Sequence, residues 1–238
     1  MIGVHKAWWV GGFLFGLMCL TAKAQDVQFE PELDQNLKLN SVFRLGSTAK
    51  GDREGGDPVQ TQIGPDIEFY IKPLLRLKRI TAFDLNDAKS KSLVLETGYL
   101  SVTAPDTPNI NRMILSVTSH APLKYGFLVS DRNRADLDWE TGKTFEWRYR
   151  NLLQVERAIP IYSYHMIPYV SAEPYYETKY EKWSTTALTV GGLFPVGQHV
   201  QFDLYYEHDN NTGGKKNAQT ENIGLALHLY FSLEKPKP

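Results

Sequence analysis

The sequence predicts an all-β protein, an antiparallel up-and-down β-barrel of about ten strands with eight or twelve as alternatives. Three observations point there. The first is the alternation in Leu123–Glu156: Phe145, Trp147, Tyr149, Leu153 and Val155 fall on one parity, and Glu146, Arg148, Arg150, Gln154 and Glu156 on the other. In the preceding segment Phe127, Val129, Leu137 and Trp139 oppose Ser130, Arg132, Arg134, Asp136 and Asp138. A strand sends alternate side chains to opposite faces, so each segment is amphipathic, and each is longer than the usual globular strand. The second observation is that the connections sort into two kinds, tight on one side and longer and polar on the other, as in barrels that span an outer membrane. The third is an export leader at the N-terminus.

In the leader, His5 and Lys6 precede an apolar run from Ala7 to Leu20, and Ala22 and Ala24 stand in the A-x-A arrangement of a signal peptide cleaved before Gln25. The run is short for a membrane-spanning helix. Met18 occupies the place where a lipoprotein signal requires a small residue, so Cys19 is not read as a lipidation site. Cys19 is the single cysteine, and cleavage leaves none, which excludes disulfides and thiol chemistry. Of 26 basic residues Lys6 and Lys23 belong to the leader, leaving 24 against 27 acidic residues, with no basic run to suggest nucleic acid. The expected domains are a signal peptide over 1–24, a barrel over 25–233 and a charged tail over 234–238.

Along the chain, Gln25–Asp34 reads as a polar leader and Leu37, Leu39, Phe43 and Leu45 as a first strand. Gly46–Asp57 is glycine-rich and charged and reads as a loop. Ile63, Ile67, Phe69 and Ile71 mark a second strand, with Pro65 and Pro73 suggesting ends or irregularity. Leu74–Ala82 is either its extension or a connector. Leu93–Tyr99 and Met113–Val117 give the third and fourth strands, and the two segments above the fifth and sixth. Ile167–Tyr176, Trp183–Phe194 and Val200–Tyr206 follow. Ile223–Phe231 closes the series with the cleanest alternation. Ser119–Pro122, Ala158–Ile161 and Pro195–Gln198 are tight. Gly46–Asp57, Ala104–Asn109, Glu177–Glu181 and Asp209–Thr220 are longer, while Glu140–Gly142 and Leu85–Ser90 depart from the parity.

The richest constellation is Arg132, Arg134, Asp136, Asp138, Arg148, Arg150 and Glu156 on neighbouring strands, with Glu173 the one charge inside the seventh. Buried charges persist only when paired or hydrated, so these residues are expected to line and brace a narrow lumen, or to form a charged constriction selecting small polar or anionic solutes. Glu207-His208-Asp209-Asn210-Asn211 is weighed as a surface acyl-hydrolase motif of the form H-x-S-N. Asn210 stands where the serine nucleophile belongs, so catalysis is not expected and His208 is read as an interfacial residue. His120, His165 and His228 sit singly, and neither metal nor cofactor is expected. Trp139, Phe145, Trp147, Tyr149, Tyr169, Tyr175 and Trp183 fit aromatic girdles at the membrane interfaces. Alternation does not by itself say which face is inside, so a soluble periplasmic barrel with its aromatic parity around a small apolar ligand is the remaining alternative.

The segments SDRNRADLDW, RYRNLLQVER, PYVSAEPYYE, YYEHD and GLALHLYF resemble a family of bacterial outer-membrane proteins catalogued as domain of unknown function 2490. The resemblance covers about Leu93–Leu233. It implies a barrel in the outer membrane of a Gram-negative bacterium, in contact with outer-membrane lipid and with the barrel-assembly machinery, and carries no established chemistry. Phe231 matches the final aromatic that this machinery recognises, although Ser232–Pro238 follows it.

Overall fold

A computed structural model describes residues 27–52, 60–71, 84–162, 164–214 and 217–234. The expected signal peptide and the ambiguous Leu74–Ala82 lie outside the described residues, as does all of the tail beyond Glu234. Twelve strands are present among them: β1 Val27–Lys38, β2 Phe43–Asp52, β3 Gln60–Ile71, β4 Leu93–Thr103, β5 Ile110–Pro122, β6 Phe127–Glu140, β7 Glu146–Arg157, β8 Ile159–Ile161, β9 Tyr164–Glu177, β10 Lys182–Val196, β11 Val200–Asn211 and β12 Ala218–Ser232. Two short 3-10 turns, Asp87–Ser90 and Lys124–Gly126, are the helical pieces.

Eleven strands close the barrel. Each pairs antiparallel with its neighbour, β7 pairing with β9, while the short β8 pairs only with the start of β9. The closing pair, β1 with β12, is parallel over its whole length, from Val27↔Glu221 to Lys38↔Ser232. This follows from an odd count: in an up-and-down series of eleven, the first and last strands run the same way. Closure removes both free sheet edges.

The eleventh barrel strand is β1, where the sequence suggests a polar leader. Its outward row, Phe29, Leu33 and Leu37, is interrupted by Pro31 and Gln35, and its inward row is Glu30, Glu32, Asp34 and Asn36. The carboxylates make the segment read as solvated, but they point into the barrel. The single strand expected across Leu37–Leu45 is a hairpin, turned by Asn40, whose Oδ1 accepts from the backbone N–H of Val42 at 2.8 Å and of Phe43 at 2.9 Å. The expected loop from Gly46 begins later, because 46–52 belong to β2. At Pro65 the expected irregularity is present: β3–β4 pairing skips Gly64 and Pro65, where Gly64 lies too close to the Tyr99 backbone for any Cβ.

Which face is inside is decided by burial. Phe29, Phe43, Leu45, Ile63, Ile67, Phe69, Met113, Leu115, Val117, Leu153, Val170, Leu188, Val190, Phe202, Leu204, Ile223 and Leu225 are exposed on the outer surface. Glu30, Arg44, Glu68, Arg112, Asp136, Arg148, Glu156, Glu173, Gln201 and Asn222 are buried inside. The soluble alternative requires the aromatic parity inward, and in the structure most of that parity faces outward. Among the girdle residues, Trp139 packs on Phe145 and Trp147 on Tyr176, and Trp183 meets Tyr176 and Tyr149, all outward near one end. Tyr169 and Tyr175 are corrections: both point inward, where their hydroxyls meet carboxylates.

The connections keep the expected asymmetry. One end carries 53–59, 104–109, 141–145, 178–181 and 212–217, and the other carries 39–42, 123–126, 158–163 and 197–199. The exception is the β3–β4 connection, the longest of all, which sits at the tight-turn end and is described from Asp84 onward.

Candidate functional site

The candidate site is the charged interior, and it has two unlike walls. On the wall from β5 to β9, antiparallel register sets Arg112 opposite Asp138 and Asp136 opposite Arg148. Arg112 grips Asp138 with two bonds, Nε to Oδ1 at 2.7 Å and Nη2 to Oδ2 at 3.0 Å, and also reaches Gln62. Register also places Arg134 directly opposite Arg150, a like-charge pair. The two guanidiniums turn apart: Arg134 Nε donates to Asp136 at 2.5 Å, and Arg150 donates to Glu173 at 3.2 and 2.7 Å. Asp136 is wholly inaccessible and collects Arg134, Arg148 at 3.3 Å and Arg150 at 3.8 Å. Glu173 collects Arg150, Arg132 at 3.1 Å and the Tyr175 hydroxyl at 3.2 Å. Six of the eight residues named from sequence therefore meet in one ion-paired patch, with Asp138 held beside it by Arg112.

Glu156 is the exception. It faces inward but toward the tight-turn end, where it accepts from Lys89 Nζ at 2.8 and 2.9 Å and from Gln154 at 2.7 Å. Lys89 also contacts Asp84 at 2.9 Å. Burial alone would lower the Lys89 ammonium, but Asp84 and Glu156 more than reverse this and hold it well above the usual lysine range. Around this lysine the connector is tied down: Arg44 Nη1 donates to Asn86 at 2.7 Å, Lys38 meets Asp87 at 2.8 Å, and Ala88 packs against Tyr70 and Val94. The segment from Asp84 to Lys91 thus caps the tight-turn mouth. A recess of about 340 Å³ of atom-free space remains there, open to the outside and lined by residues including Asp84, Lys89, Leu128, Glu156 and Ile167.

The opposite wall, β1 to β4 with β10 to β12, is acidic. Glu30, Glu32 and Asp34 come from β1, Asp66 and Glu68 from β3, Glu96 from β4, and Asp203 and Glu207 from β11. Their basic neighbours are Arg44 on Glu68, Lys50 at 3.5 Å from Glu30, and His228 at 2.9 Å from Asp34. Hydroxyls supply much of the rest. Thr48 donates to Asp34 at 2.6 Å, Ser116 to Glu96 at 2.6 Å, Thr189 to Glu207 at 2.8 Å, Tyr205 to Glu30 at 3.1 Å and Tyr169 to Asp203 at 3.0 Å. The Tyr169 and Tyr205 rings have room because Gly191 and Gly224 lie beneath them, where a Cβ would overlap the ring. This wall, with Arg112, Lys89 and Tyr175, is what sequence reasoning missed. The signal was the inward parity of β1 and β2, hidden by Pro31 and by the glycines of β2.

The interior is filled around its charged side chains: Arg112, Gln201, Asn222 and Asp136 are each exposed by 2% or less. Barrels of about eight strands are just filled by side chains and those of sixteen enclose a channel; eleven strands lie between, and long arginines and glutamates take up the difference. Outside the lumen, His208 points outward, and its Nδ1 meets Glu221 Oε1 at 2.9 Å while Tyr206 donates to the same carboxylate. Among the described residues no group of three or more His, Cys, Asp or Glu is placed to hold a metal.

No family model matches the chain, and no curated protein matches it. Among solved structures it is similar to a bacterial polysaccharide outer membrane secretin, with a TM-score of 0.49 and 8% sequence identity over 76% of this chain. The match spans 62% of that structure's chain, less than two thirds of its length.

Proposed function

We propose that this chain is an outer-membrane β-barrel of a Gram-negative bacterium with a structural or narrow-pore role, exported by its leader. The observation that carries the reading is the inversion of polarity: apolar side chains face out along strands of 10 to 15 residues, and ion-paired side chains face in. Water would not sustain so large an exposed apolar surface, whereas lipid solvates it. The partners are then outer-membrane lipid and the barrel-assembly machinery, with Phe231 near the end of β12 as the recognised aromatic. The arginine–carboxylate patch and the Lys89 cap make the lumen a brace first, with passage restricted to small polar solutes. The resemblance to the domain of unknown function 2490 fits this reading.

Fractionation of cells expressing the full chain, with unboiled and boiled gels of the membrane fraction, tests it. A detergent-requiring protein whose mobility shifts on heating is expected; a freely soluble protein without a shift defeats the proposal. Reconstituted in planar bilayers, the wild-type barrel should conduct weakly.

The His208–Glu221 pair favours a second reading, a surface lipid hydrolase. Glu221 fixes the imidazole by Nδ1, leaving Nε2 toward the lipid interface, but Asn210 cannot serve as nucleophile and water would have to attack. Release of fatty acid from phospholipid vesicles by the folded protein, abolished in His208→Ala, would establish it, and no release would remove it.

A further inference from the structure

Among the described residues the outward rows are largely apolar, broken by single polar residues such as Gln35 and Thr97 and by two hydrogen-bonded polar clusters, one of Tyr206, His208 and Glu221 toward the ends of β11 and β12 and one on β6 and β7. On β6 and β7, Asp131, Asn133 and Asn151 face outward part-way along their strands, with Phe127 and Val129 on one side and Ala135, Leu137 and Trp139 on the other. Asn151 Nδ2 donates to Asp131 Oδ1 at 2.7 Å and to Asn133 Oδ1 at 3.1 Å; Asn133 Nδ2 donates to Asp131 Oδ2 at 3.3 Å; the Tyr149 hydroxyl donates to Asn133. The exposed Leu115, Val117, Leu153 and Val170 surround the group. Building on the membrane reading above, this places a carboxylate and two amides inside the lipid-facing belt. Such placement is costly. Lipid tails offer no hydrogen bonds to offset it.

We propose that this patch is the contact through which two copies of the barrel associate side by side in the membrane. Its chemistry is self-complementary. The second amide hydrogen of Asn133 and part of the Asp131 lone-pair capacity are taken up by no contact shown for these residues. A two-fold axis near Asn133 sets each copy's spare amide hydrogen against the other's Asp131, so the two carboxylates approach amides rather than each other. The small Ala135 and Ala172 beside the patch let the two sheets come close. A closed two-fold pair also satisfies each donor and acceptor once and leaves no open-ended surface.

The test uses the folded full-length protein in detergent micelles and in native membranes, after the heat-shift assay has shown that a membrane barrel is present. A cysteine at Ala135→Cys should form a disulfide-linked species of twice the chain mass under mild oxidation, and Leu204→Cys on the far wall should not. Sedimentation should show a dimer for the wild type. Asp131→Leu combined with Asn133→Leu should weaken association at least tenfold while keeping the heat shift. A wild-type barrel that stays monomeric at all protein-to-detergent ratios overturns the proposal. So does a variant that dimerises as before, or cross-linking through Leu204→Cys alone. Loss of the heat shift in the wild type would instead defeat the membrane reading itself.

Discussion

From β5 to β9 the interior sets five arginines against Asp136, Asp138 and Glu173, and nearly every charge touches an opposite one in ladder register or one step off it. Across the lumen, β1, β3, β4 and β11 carry a run of carboxylates near Arg44, Lys50 and His228, and serine, threonine and tyrosine hydroxyls serve several of them. The two walls meet the same difficulty, charge removed from bulk water, by different means. On the arginine wall Asp136 and Glu173 each neutralise several guanidiniums, so deleting one leaves buried positive charge poorly compensated. On the acidic wall several carboxylates, Glu96 and Glu207 among them, are served by a neutral hydroxyl, which an amide oxygen could accept from equally well. Stability should therefore be concentrated on one side of the barrel, and charge excess on the other.

That contrast can be broken directly. Asp136→Asn removes the carboxylate charge shared by Arg134, Arg148 and Arg150, and we expect a loss of about 3–5 kcal/mol, read as the urea midpoint of the folded barrel in micelles. The matched change on the acidic wall, Glu96→Gln, should shift stability by less than about 1 kcal/mol, because Ser116 can donate to the new amide oxygen. Equal losses would show that the walls are energetically alike. Lys89→Met removes the cation joining Asp84 to Glu156 and should raise single-channel conductance by loosening the cap at the tight-turn mouth. The sign of its pH dependence follows from the raised lysine. Its contribution is fully present below the ordinary value of 10.5 and is lost only as pH rises through the higher folded value, so conductance should not rise between neutral pH and 10.5. Thr189→Val removes one hydroxyl from Glu207 and should cost about 1 kcal/mol. The Lys143–Glu140 pair, whose lysine is exposed, gives the floor of the scale, and Lys143→Ala should change stability by no more than about 0.5 kcal/mol.

The secondary structure was most legible where inward and outward rows differ in every position. β12 carries the cleanest alternation, and β6 and β7 alternate except at Asp131, Asn133, Asn151 and Leu152; most of their expected residues fall within the observed strands, Phe145 lying just before β7. β1 was illegible for a physical reason: a strand with a carboxylate inward row and a proline in its outward row has the composition of a solvated segment. The arginine patch was legible as a set, since parity puts Arg132, Arg134, Asp136, Arg148 and Arg150 on one face. Glu156 shares that parity but not the patch, because height along the barrel, not parity, decides its partner. Tyr169 and Tyr175 were misplaced for a related reason, as an aromatic ring fits either face and only the acceptors across the lumen select the inner one.

The residues alone determined the strand period, the charged-against-apolar division of most strands and the two unlike ends, because these depend on local alternation and turn chemistry. Only the tertiary structure decided that the charged rows face inward, that eleven strands close through a parallel β1–β12 seam, and that Lys89 from a connector completes Glu156. Those outcomes depend on pairing between segments far apart in the chain, where closure, register and burial of charge are settled together.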